Sequence, residues 1–307
     1  MKICIIGCGA VGSLFAAHLA KAGEAEVWAY DLWEDHTAAI NRNGLRLSGA
    51  ADFTARLHAT SNPGELPRCD YGIVATKAIH TRDAIRQVAH AFGEESAVCS
   101  VQNGVGNEEL IAECVKYVIR GTTFPAGHSI APGHIGYDIK GDTWIGPFEP
   151  TNTAMKKVEE LAAMITRAGM NTIALPDARG AQWTKLIFNA ATNPVGALTL
   201  LHHGAASRFE PTGDLFNHLI AEGEAVAKSL GIKLHGDPRQ LVKKGADAPG
   251  KHRASMLQDV IAKRQTEVDF MNGAIVSWGK KTGVPTPLNK AVWELIKGLE
   301  HSWADPS

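Results

Sequence analysis

Lys185, Asn189 and Asn193 recur at four-residue intervals in the run Trp183-Thr184-Lys185-Leu186-Ile187-Phe188-Asn189-Ala190-Ala191-Thr192-Asn193-Pro194. On a helix that spacing lines all three on one face, and the residues between them are mostly apolar. Burying such groups without hydrogen bonds costs roughly a few kcal/mol each, so they need partners or a task. A solvent-facing polar stripe is the plain alternative. It would more often carry Glu, Arg or Gln than two asparagines, which form helices poorly. The chemistry open to this face is reduction of a ketone: an ammonium can protonate the carbonyl oxygen while amides hold a neighbouring carboxylate. Pro194 marks the same helix, since an internal proline removes a hydrogen bond and usually ends or kinks the helix. A carboxylate, Glu267, stands twelve residues after Ser255. A continuous helix over 251–281 is expected, placing the two on similar faces about three turns apart. Taken alone, Glu267 reads as a surface carboxylate, as such a residue is in most proteins.

Ketone reduction needs a hydride source, and Gly7-Cys8-Gly9-Ala10-Val11-Gly12 supplies the signature of one. The segment follows the apolar run Ile3-Cys4-Ile5-Ile6 and precedes Ser13-Leu14-Phe15-Ala16-Ala17, an order that predicts strand, tight turn and helix with the dinucleotide fingerprint G-x-G-x-x-G. Gly7 permits the turn, Gly9 leaves room for a pyrophosphate against the backbone, and Gly12 lets the helix pack on the strand. The N–H groups of Ala10, Val11 and Gly12 then face the phosphates at a helix N-terminus. A second strand signal, Glu26-Val27-Trp28-Ala29-Tyr30, ends in Asp31, nineteen residues after Gly12. An acidic residue there binds the adenosine ribose hydroxyls and repels a 2′-phosphate, which favours NAD(H). The plain alternative is that Asp31 only ends the strand. Thr76-Lys77 and Gln102-Asn103-Gly104 close two further strand signals, at the edge of a doubly wound sheet where ligands bind.

The elements that must position these residues fall into two halves. Strand signals at 71–76, 97–101 and 118–122 alternate with helix signals at 80–92 and 108–115, implying an α/β domain with a Rossmann-type, doubly wound parallel sheet. Between Gly127 and Pro147 short segments divided by Pro-Gly, Gly-Tyr and Gly-Asp predict hairpin strands. A helix at 152–168 and a short strand at 171–175 complete this domain. After Pro176 helical periodicity dominates, over 178–201, 213–230, 251–281 and 288–301. The expected division is a dinucleotide-binding domain over 1–176 and an all-helical catalytic domain over 177–307, with a ligand cleft between them.

Composition narrows the classes. A net charge of −1 provides no basic field for nucleic acid. Cysteines 4, 8, 69, 99 and 114 make an odd number without a C-x-x-C, so neither a disulfide framework nor a zinc site is indicated. No apolar stretch has membrane-spanning length, and a cytoplasmic protein is expected. The histidines show no metal-ligand spacing.

Seven separated motifs, in order along nearly the whole chain, resemble the ketopantoate reductase (2-dehydropantoate 2-reductase) family. They are G-C-G-A-V-G at 7–12, the strand end at Lys77, Q-N-G at 102–104, K-L-I-F-N-A-A-T-N-P at 185–194, S-M-L-Q-D at 255–259, T-E-V-D at 266–269 and G-V-P-T-P-L-N at 283–289. The resemblance implies hydride transfer to a branched 2-oxo acid, with Lys185 as general acid and Glu267 orienting lysine and substrate. It also implies that Asn103, Asn189, Asn193 and Ser255 bind substrate or nicotinamide ribose, with Lys77 near the cofactor. A buried lysine beside a carboxylate can act as a tuned acid.

Three departures bear on substrate and cofactor. Family members typically read NADPH through a basic residue where Asp31-Leu32 stands here. His203 and His252 occupy places where asparagines commonly help hold the substrate, and are carried as substrate-binding candidates. An NAD-dependent D-2-hydroxy acid dehydrogenase with another 2-oxo acid is therefore the alternative enzyme. A dinucleotide-sensing protein without catalysis would retain Gly7–Gly12 and Asp31 but have no use for Lys185 and Glu267. The long C-terminal helices could supply a homodimer face.

Overall fold

Ile3, Ile5 and Ile6 of the first strand are wholly buried, as expected for a strand covered on both faces of a parallel sheet. A computed structural model describes residues 1–247 and 253–303. The chain forms two units, one of Met1–Gln102 with Asn107–Ala178, the other of Asn103–Gly106 with Arg179 onward.

In the first unit the strands are β1 (Lys2–Ile6), β2 (Glu26–Tyr30), β3 (Leu45–Gly49), β4 (Phe53–Ala55), β5 (His58–Thr60), β6 (Cys69–Val74), β7 (Phe92–Ser100), β8 (Tyr117–Thr123), β9 (Ala126–Ala131), β10 (His134–Ile139), β11 (Thr143–Pro147) and β12 (Thr172–Ala174). The helices are α1 (Ala10–Ala22), α2 (Glu34–Asn43), α3 (Thr81–Val88), α4 (Asn107–Ala112) and α5 (Met155–Arg167). The main sheet has eight strands in the order β12-β11-β8-β7-β6-β1-β2-β5. Its six strands from β8 to β5 pair in parallel. Numbered among themselves they run 3-2-1-4-5-6, the doubly wound dinucleotide-binding order, which reverses between β1 and β6. The α/β fold expected from the sequence is thus observed.

Two details depart from expectation. The segments β3 and β4, absent from the sequence reading, join the expected β9–β10 hairpin in a separate four-stranded sheet. In addition, β11 leaves the hairpin region to pair antiparallel with β8 and parallel with β12. Ile145 on β11 is wholly buried in the main core, and this burial recruits the strand.

In the second unit α6 (Arg179–Thr199), α7 (His203–Arg208), α8 (Glu210–Ser229), α9 (Pro238–Asp247), α10 (Ser255–Ile261), α11 (Asn272–Thr282) and α12 (Pro287–Ser302) surround a core that includes Leu186, Ile187, Phe216, Ile220 and Ile296. Helix α6 runs unbroken through Pro194. The expected helix over 251–281 does not exist. Helix α10 stops in a Schellman arrangement: Arg264 N–H donates to the Asp259 carbonyl (2.8 Å), Lys263 N–H to that of Val260 (3.0 Å), and Lys263 takes the left-handed φ of 49°. Glycine usually fills that position. A lysine there hides the stop from a sequence reading, and the Arg264–Asp259 ion pair reinforces it.

Candidate active site

The glycine turn follows from backbone geometry. Gly7 has φ +85°, and a Cβ on it would lie 2.6 Å from Thr76 at the end of β6. A Cβ on Gly12 would lie 1.9 Å from the Gly7 carbonyl oxygen, so α1 could not start so close to β1 with any larger residue. A Cβ on Gly9 would meet nothing within 4 Å. The N-terminus of α1 carries no side-chain cap, which leaves Ala10, Val11 and Gly12 at a helix end suited to an anion. These features fit a dinucleotide pyrophosphate.

Asp31 is tied directly to this turn. Its Oδ2 accepts the Cys8 N–H at 2.7 Å, and its Oδ1 accepts the Trp33 N–H at 2.9 Å. Each oxygen keeps a second lone pair for a further donor. The next residues, Leu32, Trp33, Glu34 and Asp35, are exposed and include no cation. Below the turn, buried His36 accepts the Gly133 N–H at Nδ1 (3.0 Å). That contact assigns the proton to Nε2, 3.4 Å from Ser13 Oγ, which in turn donates to the Cys8 carbonyl at 2.8 Å. Burial holds the His36 imidazole below its ordinary pKa, in keeping with the neutral form this relay requires. Sequence reasoning missed His36 because its partners are distant in the chain.

Lys77 follows β6 and is half-buried. Gln102, which ends the next parallel segment, donates to the Thr76 carbonyl (3.0 Å) and to Thr81 Oγ1 (2.7 Å). It braces the strand ends rather than offering its amide to a ligand.

The second unit gathers Lys185, Asn189, Asn103 and Glu267. Asn103 Nδ2 donates to Glu267 Oε2 at 3.2 Å, and Asn189 Nδ2 lies 3.5 Å from Asn103 Oδ1. Asn189, Asn193 and Glu267 are each 7% exposed. The loop carrying Asn103 is docked by its neighbours: Gln182 Nε2 donates to the Gly104 carbonyl (3.3 Å), and Val105 N–H to that of Phe270 (3.2 Å). Gly104 has φ +83°, and a Cβ there would approach the Phe270 carbonyl oxygen to 2.3 Å. Desolvation pushes the Lys185 ammonium down to about 8, against the pull of the Glu267 carboxylate. The result is a cation that can release its proton near neutral pH, flanked by amides able to hold an oxyanion.

Asn193 sits one turn further along α6, its Nδ2 3.8 Å from Met271 Sδ. Pro194 denies the Ala190 carbonyl its usual helical donor. Asn272 replaces it, donating from Nδ2 to Ala190 O at 2.8 Å and also to Asn289 Oδ1 at 3.0 Å. Asn289 Nδ2 reaches Glu222 at 2.8 Å. This buried amide pair, unmarked by sequence reasoning, keeps α6 continuous beyond Lys185.

Other candidates are placed differently. Ser255 lies exposed at the start of α10. It is not three helical turns from Glu267, because the helix between them ends at Ile261. His203 starts α7, with Nε2 2.9 Å from the Val242 carbonyl and its ring against Phe188 and Phe216. It ties α7 to α9 rather than joining the hydrogen bonds between Asn103 and Glu267. His252 lies outside the described residues. No helix among the described residues is long and apolar enough to cross a membrane.

Known proteins resemble this chain in both sequence and fold. A family described as ketopantoate reductase PanE/ApbA matches residues 3–150, and its C-terminal counterpart matches residues 177–300. A 2-dehydropantoate 2-reductase from Pyrococcus abyssi is 34% identical over 98% of both chains, and one from Archaeoglobus fulgidus is 31% identical over 97% of this chain and 98% of its own. The crystal structure of a PanE/ApbA family ketopantoate reductase from Ralstonia eutropha superposes with TM-score 0.89 at 30% identity, covering 99% of this chain and all of the other. D-mandelate dehydrogenase in ternary complex with NADH and anilino(oxo)acetate superposes with TM-score 0.90 at 25% identity, with the same coverage. The chain belongs to the ketopantoate reductase family.

Proposed function

We propose that this protein is an oxidoreductase that reduces a 2-oxo acid of the ketopantoate type to the 2-hydroxy acid, with NADH preferred over NADPH. The single observation that carries the reading is the grouping of Lys185 and Asn189 of α6 with the hydrogen-bonded Asn103 and Glu267. Desolvation of the largely enclosed Lys185 ammonium, lowering it to about 8 against the pull of Glu267, supports the reading. It is supported by relatives named 2-dehydropantoate 2-reductase. In this reading residues 1–176 bind the dinucleotide and residues 177–307 carry the proton-transfer chemistry. A bound nicotinamide supplies a hydride for the carbonyl carbon. Lys185 Nζ gives its proton to the carbonyl oxygen, and Glu267 keeps the lysine charged until that moment. Asn103, Asn189 and Asn193 offer amides to the substrate carboxylate or the ribose, and Ser255 and Lys77 assist at substrate and cofactor respectively.

The preference for NADH rests on Asp31. Its carboxylate ends β2 beside Glu34 and Asp35, so a 2′-phosphate there would meet three negative charges and no cation among residues 31–35. The same observation supports a second reading, an NAD-dependent D-2-hydroxy acid dehydrogenase with another substrate, alongside the NADH-bound D-mandelate dehydrogenase neighbour. The unbridged cysteines suit a reducing compartment such as the cytoplasm. A homodimer through the second unit is testable by sedimentation.

The discriminating experiment measures oxidation of NADH and NADPH against a panel of 2-oxo acids including ketopantoate and benzoylformate. The proposal predicts the highest kcat/KM for NADH with ketopantoate. Consumption of NADPH but little NADH would overturn the cofactor assignment. A preference for benzoylformate would favour the second reading, and no turnover with any acid would overturn both.

A further inference from the structure

Glu267 lies on the irregular stretch between α10 and α11, whose conformation no long helix or strand of its own enforces. What fixes it comes from the C-terminal helix. Glu300 Oε1 accepts both the Thr266 N–H (2.8 Å) and the Thr266 hydroxyl (2.6 Å). Thr266 is wholly buried and the Glu300 side chain is 10% exposed. Lys297 Nζ donates to Glu300 Oε2 at 2.8 Å and to Asp269 Oδ2 at 3.0 Å. Asp269 Oδ1 accepts the Trp293 indole N–H at 2.7 Å, and Thr266 Oγ1 accepts the Val268 N–H at 3.3 Å. The residue before Glu267 and the one two places after it are thus both bonded, through charged groups, to α12.

We propose that Glu300 and Lys297 are positioning residues for proton transfer, clamping residues 266–269 so that the Glu267 carboxylate is held on Asn103 and Lys185. Charge-assisted bonds of this kind are short and directional, and misplacing a catalytic group by about 1 Å can cost about a hundredfold in rate. The hydrogen bonds of Glu300 and Lys297 run to Thr266 and Asp269, on either side of Glu267, so the clamp acts through Glu267. Charged side chains bearing on the segment are Lys297, Asp269 and Glu300 from the clamp and Lys185 from α6.

The inference rests on the reading of Lys185 as proton donor, and its test separates the two. The probe is the rate of Lys185 acylation by a small amine-reactive ester as a function of pH, followed by mass spectrometry on the full-length protein without cofactor. Glu300→Leu removes the clamp, and Thr266→Val removes the hydroxyl's bond to Glu300 and its acceptance of the Val268 N–H with little change of shape. Both should shift the midpoint of Lys185 reactivity to lower pH, because the carboxylate that favours the charged lysine is loosened. Both should also lower kcat by about tenfold or more, leaving the Kd for NADH within about twofold. Glu300→Gln, which retains an acceptor for Thr266, should fall between these variants and the wild type. An unchanged Lys185 midpoint in folded Thr266→Val and Glu300→Leu would overturn the proposal. Normal turnover in Lys185→Ala would instead overturn the functional reading, while the acylation profile still decides the clamp.

Discussion

Lys185 should weaken the fold that carries it. A lysine whose pKa is held near 8 in place of 10.5 carries a charge disfavoured by about 3 kcal/mol relative to its neutral form. The side chain keeps some solvent access, which trims the figure to about 2–3 kcal/mol. Replacing Lys185 by methionine keeps the volume and removes the charge, but it also strands Glu267, a largely buried carboxylate, at a cost that opposes the gain. The clean comparison is therefore made in a Glu267→Gln background, where Lys185 loses the carboxylate that raises its pKa and Lys185→Met should add at least about 2–3 kcal/mol at pH 7. The sign of the pH dependence is determined. In the wild type the unfolded chain holds the Lys185 proton and the folded chain does not between pH 8 and 10.5. The lower edge of that window moves further down without the Glu267 carboxylate, so stability with lysine present rises with pH across it. The advantage of methionine should accordingly shrink from pH 7 to pH 10. Urea unfolding at both pH values, followed by tryptophan fluorescence, measures the difference. A methionine variant that is less stable at pH 7 in the Glu267→Gln background, or an advantage independent of pH, would refute the claim that burial depresses this lysine.

Three further outcomes follow from the geometry. Gly12→Ala places a methyl 1.9 Å from the Gly7 carbonyl oxygen, and should raise the Kd for NADH, measured by its fluorescence, by about tenfold or more, equivalent to about 1.4 kcal/mol. Asn272→Leu leaves the Ala190 carbonyl and Asn289 without their shared donor and should cost about 2–4 kcal/mol, seen as a lowered Tm. Leu32→Arg adds a cation beside Asp31 at a position that is 70% exposed. It should raise kcat/KM for NADPH by about tenfold without loss of stability.

The parts legible in the sequence were those that a local pattern encodes. The glycine turn, the alternating strands and the four-residue spacing of Lys185, Asn189 and Asn193 each follow from periodicity or from backbone freedom. What escaped depends on distant contacts. The strand β3 alternates buried Leu45 and Leu47 with half-buried Arg46 and Ser48 over only five residues, β4 is three residues long, and the pairing of β3 with the distant β10 leaves no local mark. The end of α10 is hidden because Lys263 takes a left-handed conformation usually given to glycine. Pro194 correctly signalled a lost hydrogen bond, but nothing near it reveals that Asn272 supplies the replacement. His203, carried as a substrate-binding candidate by position, has its Nε2 2.9 Å from the Val242 carbonyl of α9, a contact no local pattern announces. Glu267 was found through the wrong intermediate: not along a helix from Ser255, but through the Asn103 loop.

The proposed chemistry turns on Lys185 delivering the proton. Because an ammonium donates only while protonated, kcat/KM for reduction should be steady at low pH and fall as pH rises through about 8, the value near which burial holds this lysine. That profile, measured with NADH and a saturable 2-oxo acid for the wild type and for Lys185→Ala, tests the role without an intermediate step. The alanine variant should lose about a hundredfold or more in rate, and its alkaline limb should disappear. Near-normal turnover, or an alkaline limb unchanged by the substitution, would show that the proton comes from elsewhere.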